Sequence, residues 1–174
     1  MFRKIILSTI LATIFFCGQC FAAQDYPICN KNQNDFVKNF NAAANNLGFT
    51  FETPELFPME NSPDEGQTYL LKAVPDNVHA LAFVITNKDN FLTVINLATD
   101  DVEIAKKMFK PALLAVGLTE KEITAKPVFK KTETLNSFWC AESKRYVNVN
   151  THLDADNSGI FYIEIVASKD KPAK

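Results

Sequence analysis

The side chains of this chain that could do chemistry are few and widely spaced. Four cysteines, two histidines and twenty carboxylates are spread over 174 residues. A nucleophile needs a base within reach, and a hydrolytic metal needs two or more His or carboxylate ligands at close spacing. No H-E-x-x-H, G-x-S-x-G or glycine-rich phosphate loop occurs, and the five glycines are scattered. His79 opens one apolar stretch and His152 closes another, positions that suit a lone edge histidine better than a catalytic one. No residue is assigned a catalytic role, and the chain reads as a non-enzyme unless carboxylates converge in space.

The cysteines divide into two pairs. Cys17 and Cys20 fall within residues 1–22, which read as an export signal. Arg3 and Lys4 supply the cationic start. The run from Ile5 to Phe16 is apolar but stops short of the roughly 20 residues that span a bilayer. Cys20-Phe21-Ala22 supplies the small-x-small pattern for cleavage, so the mature chain is expected to start at Ala23, in the periplasm or outside the cell. Cys29 and Cys140 are then the remaining thiols in an oxidising compartment, which predicts one disulfide between them. Such a bridge closes a loop of about 110 residues and stabilises by roughly 4 to 5 kcal/mol in the chain-entropy model. The alternative, a metal or catalytic thiol, has no close histidine to support it. Trp139, beside Cys140, is expected to pack against the bridge.

One short pattern has the look of a cation site. In Asp154-Ala155-Asp156-Asn157-Ser158-Gly159, the oxygens of Asp154, Asp156 and Ser158 alternate ahead of a glycine that permits a turn. These six residues resemble the opening of an EF-hand calcium loop. The resemblance ends there: the position of the family's bidentate Glu is Ile165, Glu164 is one place off, and both flanks are strand-like. A hairpin turn is the preferred reading, so no cofactor is expected and calcium is the alternative.

A second candidate lies between Glu52 and Gln67. It carries Glu52, Glu55, Glu60, Asp64 and Glu65 with no basic residue, around the apolar Leu56, Phe57 and Met59. Acidic residues around apolar anchors suit insertion into a basic, partly apolar groove, as in inhibitors and immunity proteins. In the competing reading, Leu56, Phe57 and Met59 fold back as a lid over the core.

Charge excludes one class of partner. Removing Arg3 and Lys4 leaves sixteen basic against twenty acidic residues, a net of −4, which disfavours nucleic acid. Arg145 is then the one remaining arginine, so recognition through several Arg forks is unavailable. Lys126, Lys130, Lys131, Lys144 and Arg145 read as a solvated edge that discourages sheet aggregation.

These residues must be positioned by a scaffold, and its outline is readable. A helix is expected from about Asp35 to Leu47, capped by Asn34 and stopped by Gly48, with Phe36 and Phe40 on its apolar face. Pro54, Pro58 and Pro63 exclude regular helix and central strand from the acidic segment. Strands are expected at Tyr69–Val74, His79–Thr86 and Phe91–Ala98, the last two joined by Asn87-Lys88-Asp89-Asn90. A second helix is expected from about Asp101 to Val116, capped by Asp100 and kinked at Pro111. A ragged stretch from Val128 to Cys140 and strands at Lys144–Thr151 and Gly159–Ala167 follow, then a polar, disordered tail from Ser168.

The predicted fold is α+β: an antiparallel sheet of about five strands with two main helices on one face, in the order α-β-β-β-α-β-β, forming a single domain over residues 23–167. The expected function is an exported, non-catalytic protein-binding module, with an inhibitor or immunity role its most concrete form. One alternative is a carrier of small apolar ligands, with a pocket lined by Phe36, Phe40, Phe83, Phe91 and Phe109. Another is a hydrolase built on converging carboxylates.

Overall fold

A computed structural model describes residues 26–57, 66–124, 134–153 and 159–171. The predicted export signal and its cleavage site, the acidic residues Glu60, Asp64 and Glu65 with Met59, and the turn bearing Asp154, Asp156 and Ser158 lie outside the described residues.

Helix α1 (Gln33–Ala43) starts two residues earlier than the sequence suggested, because Asn32 rather than Asn34 is its cap. The Asn32 side-chain oxygen accepts from the backbone N–H groups of Asn34 and Asp35 at 2.9 and 3.0 Å. The Asp35 carboxylate in turn accepts from the Asn32 N–H at 3.3 Å, completing a capping box. The Asn41 amide, near the other end, donates to the Phe51 carbonyl at 2.8 Å and accepts from its N–H at 2.9 Å, tying the helix to the first strand.

Helix α2 (Val102–Ala115) is capped by Asp101, which accepts from the N–H groups of Glu103 and Ile104. Asp100, the expected cap, faces His79 instead. Pro111 lies inside the helix and is buried. Its missing N–H and ring clash cost about 3 kcal/mol in an isolated helix. The helix holds here because Ala105, Met108, Phe109, Ala112 and Leu113 are buried along its length.

The strands are β1 (Thr50–Phe51), β2 (Glu55–Phe57), β3 (Thr68–Val74), β4 (Ala80–Thr86), β5 (Leu92–Thr99), β6 (Thr134–Cys140), β7 (Arg145–Leu153) and β8 (Phe161–Ser168). They form one eight-stranded antiparallel sheet in the order β1-β3-β4-β5-β8-β7-β6, with β2 also pairing β3. The expectation of about five strands in the order α-β-β-β-α-β-β is therefore corrected to α-β-β-β-β-β-α-β-β-β. Two of the added strands, β1 and β2, are one edge strand broken at Thr53-Pro54, both halves pairing β3. Proline is excluded from a central strand but tolerated at an edge, where one side needs no ladder bond. The third, β6, is the regular end of the stretch read as ragged.

Both helices pack on one face. Phe36 and Phe40 of α1 and Met108, Phe109 and Ala112 of α2 share a core with Leu71, Ala82, Val84, Ile95, Leu97, Ile163, Ile165, Val147 and Phe138. These sheet residues recur at every second position, as the pleat requires. At the start of β3, Gly66 lies directly against the Thr86 carbonyl, and any side chain there would collide with it. Only glycine permits so close an approach of the two backbones.

Candidate functional site

Successive residues of a strand face opposite ways, so the sheet has a second, outer face. The register aligns Leu70, Phe83, Asn96, Glu164, Asn150 and Leu135 in one row across it, from β3 to β6. The β3 half of this face is mostly apolar, with Lys72 the charged exception, and the β7 half is polar. Ser137 donates to Asn148 at 2.9 Å, Asn148 to Ser168 at 2.8 Å, and Asn150 to Glu164 at 3.1 Å. Phe83 belongs to this outer face, where it meets Phe57 edge-on with ring centroids 5.6 Å apart. Phe36, Phe40 and Phe109 fill the core on the other side. The five phenylalanines of the carrier reading therefore do not line one pocket.

The acidic candidate segment begins on the edge made by β1 and β2. Glu55 of β2 and Glu52 converge on Lys72 of β3, whose ammonium is 2.6 Å from the first carboxylate and 4.0 Å from the second. Lys72 is the counter-charge that reading the segment alone could not supply. Phe57 folds back onto Phe83, as a lid residue does. Leu56, between them on β2, points the other way and is 59% exposed, more than any other large apolar side chain described as exposed. Of the predicted partner-binding residues, the structure thus brings Glu52, Glu55, Leu56 and Phe57 together on one edge.

The opposite edge is β6, and the thiols lie at its end. Cys140 ends β6, and Cys29 sits in the arm ahead of α1. That arm is anchored by mutual backbone bonds, Ile28 N–H to the Leu92 carbonyl at 2.8 Å and Leu92 N–H to the Lys31 carbonyl at 3.0 Å. Lys31 pairs with Glu142 at 3.5 Å, and the Arg145 guanidinium lies 4.6 Å over the Tyr26 ring. Both cysteines are buried in the same core and are free thiols in this structure. Burial pushes the Cys29 thiol up to about 12, opposed by a backbone hydrogen bond and the charge from Lys31 and reinforced by the charge of Cys140. Burial thus disfavours the thiolate form of Cys29 in the reduced protein.

Trp139 does not pack on the cysteines. Neighbours along a strand face opposite ways, so Trp139 lies on the outer face, 47% exposed and edge-on to Tyr146 at 5.1 Å. Leu135, four residues earlier on the same face, is 46% exposed. Glu122, in the turn after α2, clamps this edge to the helical layer. Its carboxylate accepts from the Ala141 N–H at 2.9 Å and from the Thr119 N–H and hydroxyl at 2.7 Å. Those bonds, the Ala141 one first, hold its carboxyl below the ordinary value.

His79 forms no catalytic constellation among the described residues. The His79 Nδ1 is 2.9 Å from Asp100 and both groups are exposed; of the His152 side chain nothing is described. No group of three His, Cys, Asp or Glu among the described residues is arranged to hold a metal ion, and no helix among them is long and apolar enough to cross a membrane. No family model, curated protein or solved structure matches the chain.

Proposed function

We propose that this protein is an exported, non-catalytic module that binds another protein through the β1–β2 edge. The observation that carries the reading is Leu56. It is an apolar anchor projecting from a short strand held at Glu55 by Lys72 and at Phe57 by Phe83, on the face opposite those contacts. An exposed apolar side chain on a strand that is fixed from its other face has the form of a binding anchor. Its partner is a protein with an apolar pocket rimmed by basic residues, an inhibitor or immunity type of relation. Affinity capture from the native envelope should recover one protein with the natural chain and lose it with Leu56→Asp. Equal recovery by both chains would overturn this reading.

The export reading carries a structural proposal with it. In the oxidising compartment Cys29 and Cys140 join, tying the arm to the end of β6. Their burial in one core supports this. Mass measurement of the protein denatured without reductant should find no alkylatable thiol; two reactive thiols would remove the bridge.

A further inference from the structure

Edge strands invite further strands to pair, and proteins usually block this with charge, proline, bulges or brevity. β6 has none of these devices. Thr134-Leu135-Asn136-Ser137-Phe138-Trp139-Cys140 contains no charged residue and no proline, and pairs β7 over seven successive residues without a register shift. Among the described residues, no strand occupies its other side. It also presents two large exposed apolar side chains, Leu135 and Trp139, which is costly unless they are covered.

The positions of those two residues identify what covers them. They lie symmetrically about Ser137, two residues before it and two after. An antiparallel pairing of β6 with another β6, about a two-fold axis at Ser137, sets each Leu135 opposite the partner's Trp139 and Ser137 opposite the partner's Ser137. Directly opposed residues of an antiparallel pair share a face, so both Leu–Trp contacts form on the outer face. Each Trp139 already leans on Tyr146, so the row would read Tyr146, Trp139, the partner's Leu135, the partner's Asn150. Between the two apolar contacts runs a polar stripe, because each Ser137 is held by Asn148. A self-complementary strand is what a closed, isologous dimer needs.

We propose that the protein forms a two-fold dimer through β6, joining two sheets edge to edge and leaving the β1–β2 edge of each copy open. One strand pair is a small interface, so the dimer should form over roughly 1 to 300 µM rather than be obligate.

Sedimentation equilibrium on the purified protein tests this. The natural chain should show a concentration-dependent dimer, and Trp139→Lys and Leu135→Lys should each weaken it at least tenfold. Both side chains are half exposed, so circular dichroism should show the variants folded. Ser137→Cys tests the register. Cross-strand Cα spacings of about 4.5 to 5.5 Å suit a disulfide, so this variant should oxidise to a covalent dimer, with peptide mapping placing the link between the two introduced thiols. A chain that stays monomeric throughout, as expected if β6 instead receives a strand of a different protein, would overturn the proposal. So would a dimer indifferent to Trp139→Lys, or a Ser137→Cys link that runs to Cys29 or Cys140.

Discussion

The two edges of this sheet solve the same problem on opposite plans. The β1–β2 edge is broken at Pro54 into pieces of two and three residues and carries Glu52 and Glu55 against Lys72. Its backbone offers no continuous template, so whatever meets it must do so through side chains such as Leu56. The β6 edge is long, regular and uncharged, and its backbone remains a template. It too is anchored to the helical layer. Phe138 reaches Phe109 of α2, Cys140 is buried, and Glu122 holds Ala141 just beyond the strand. The β1 half of the other edge is tied to α1 through Asn41 and Phe51, so the two edges differ in how the backbone is guarded and in how their outer halves, Phe57 and Phe138, are held.

That comparison can be broken most directly by removing an anchor. Phe138→Ala deletes a buried ring touching Phe109 and should cost about 3 to 5 kcal/mol in denaturant unfolding. Phe57→Ala, the corresponding change at the other edge, removes a half-buried ring and should cost about 1 to 1.5 kcal/mol. Equal losses would show that the two edges are held alike.

Two pH effects should localise to the β6 end. Cys29 in the reduced protein has a thiol raised from 9.0 to about 12, so the folded state keeps a proton that the unfolded chain releases. The stability this contributes is complete below pH 9 and is lost as pH rises from 9 toward 12. Cys29→Ala should flatten that alkaline limb in reduced samples, and the oxidised protein should lack it. Glu122 has the opposite sign. Its folded carboxyl is held low, so its contribution is present above the ordinary carboxylate range and disappears as pH falls through the depressed value. Glu122→Gln should shallow the acid limb by a small amount, since the group is mostly solvated. The smallest stability effect belongs to Leu56→Asp, which should stay within about 0.5 kcal/mol while partner capture is lost.

Much of the scaffold is legible in local chemistry. Both helices show their apolar spacing, with caps displaced by one or two residues, because Asn32 and Asn34, or Asp100 and Asp101, are equally good caps taken alone. The β4–β5 hairpin follows from Asn87–Asn90, where the Asn87 side chain accepts from the Asp89 and Phe91 N–H groups and Asn90 adopts a φ of +64°. β2 was hidden by its flanking prolines, which forbid a central strand and permit an edge one. Trp139 was misplaced by adjacency: nearness in sequence to Cys140 means the opposite face on a strand. The uncharged run 134–140 was visible all along, but its meaning depended on knowing that β6 is an edge.

The sequence by itself determined the two helices, the central hairpin, and the concentration of carboxylates between Glu52 and Gln67, because capping, periodicity and turn chemistry act over a few residues. Only the tertiary structure decided that β8 pairs with β5, that β6 is left outermost, that Lys72 meets Glu52 and Glu55, and that Phe83 and Phe109 face opposite ways. Those outcomes rest on long-range strand pairing, whose register is set by burying one face of the whole sheet under two helices, a condition no single segment carries.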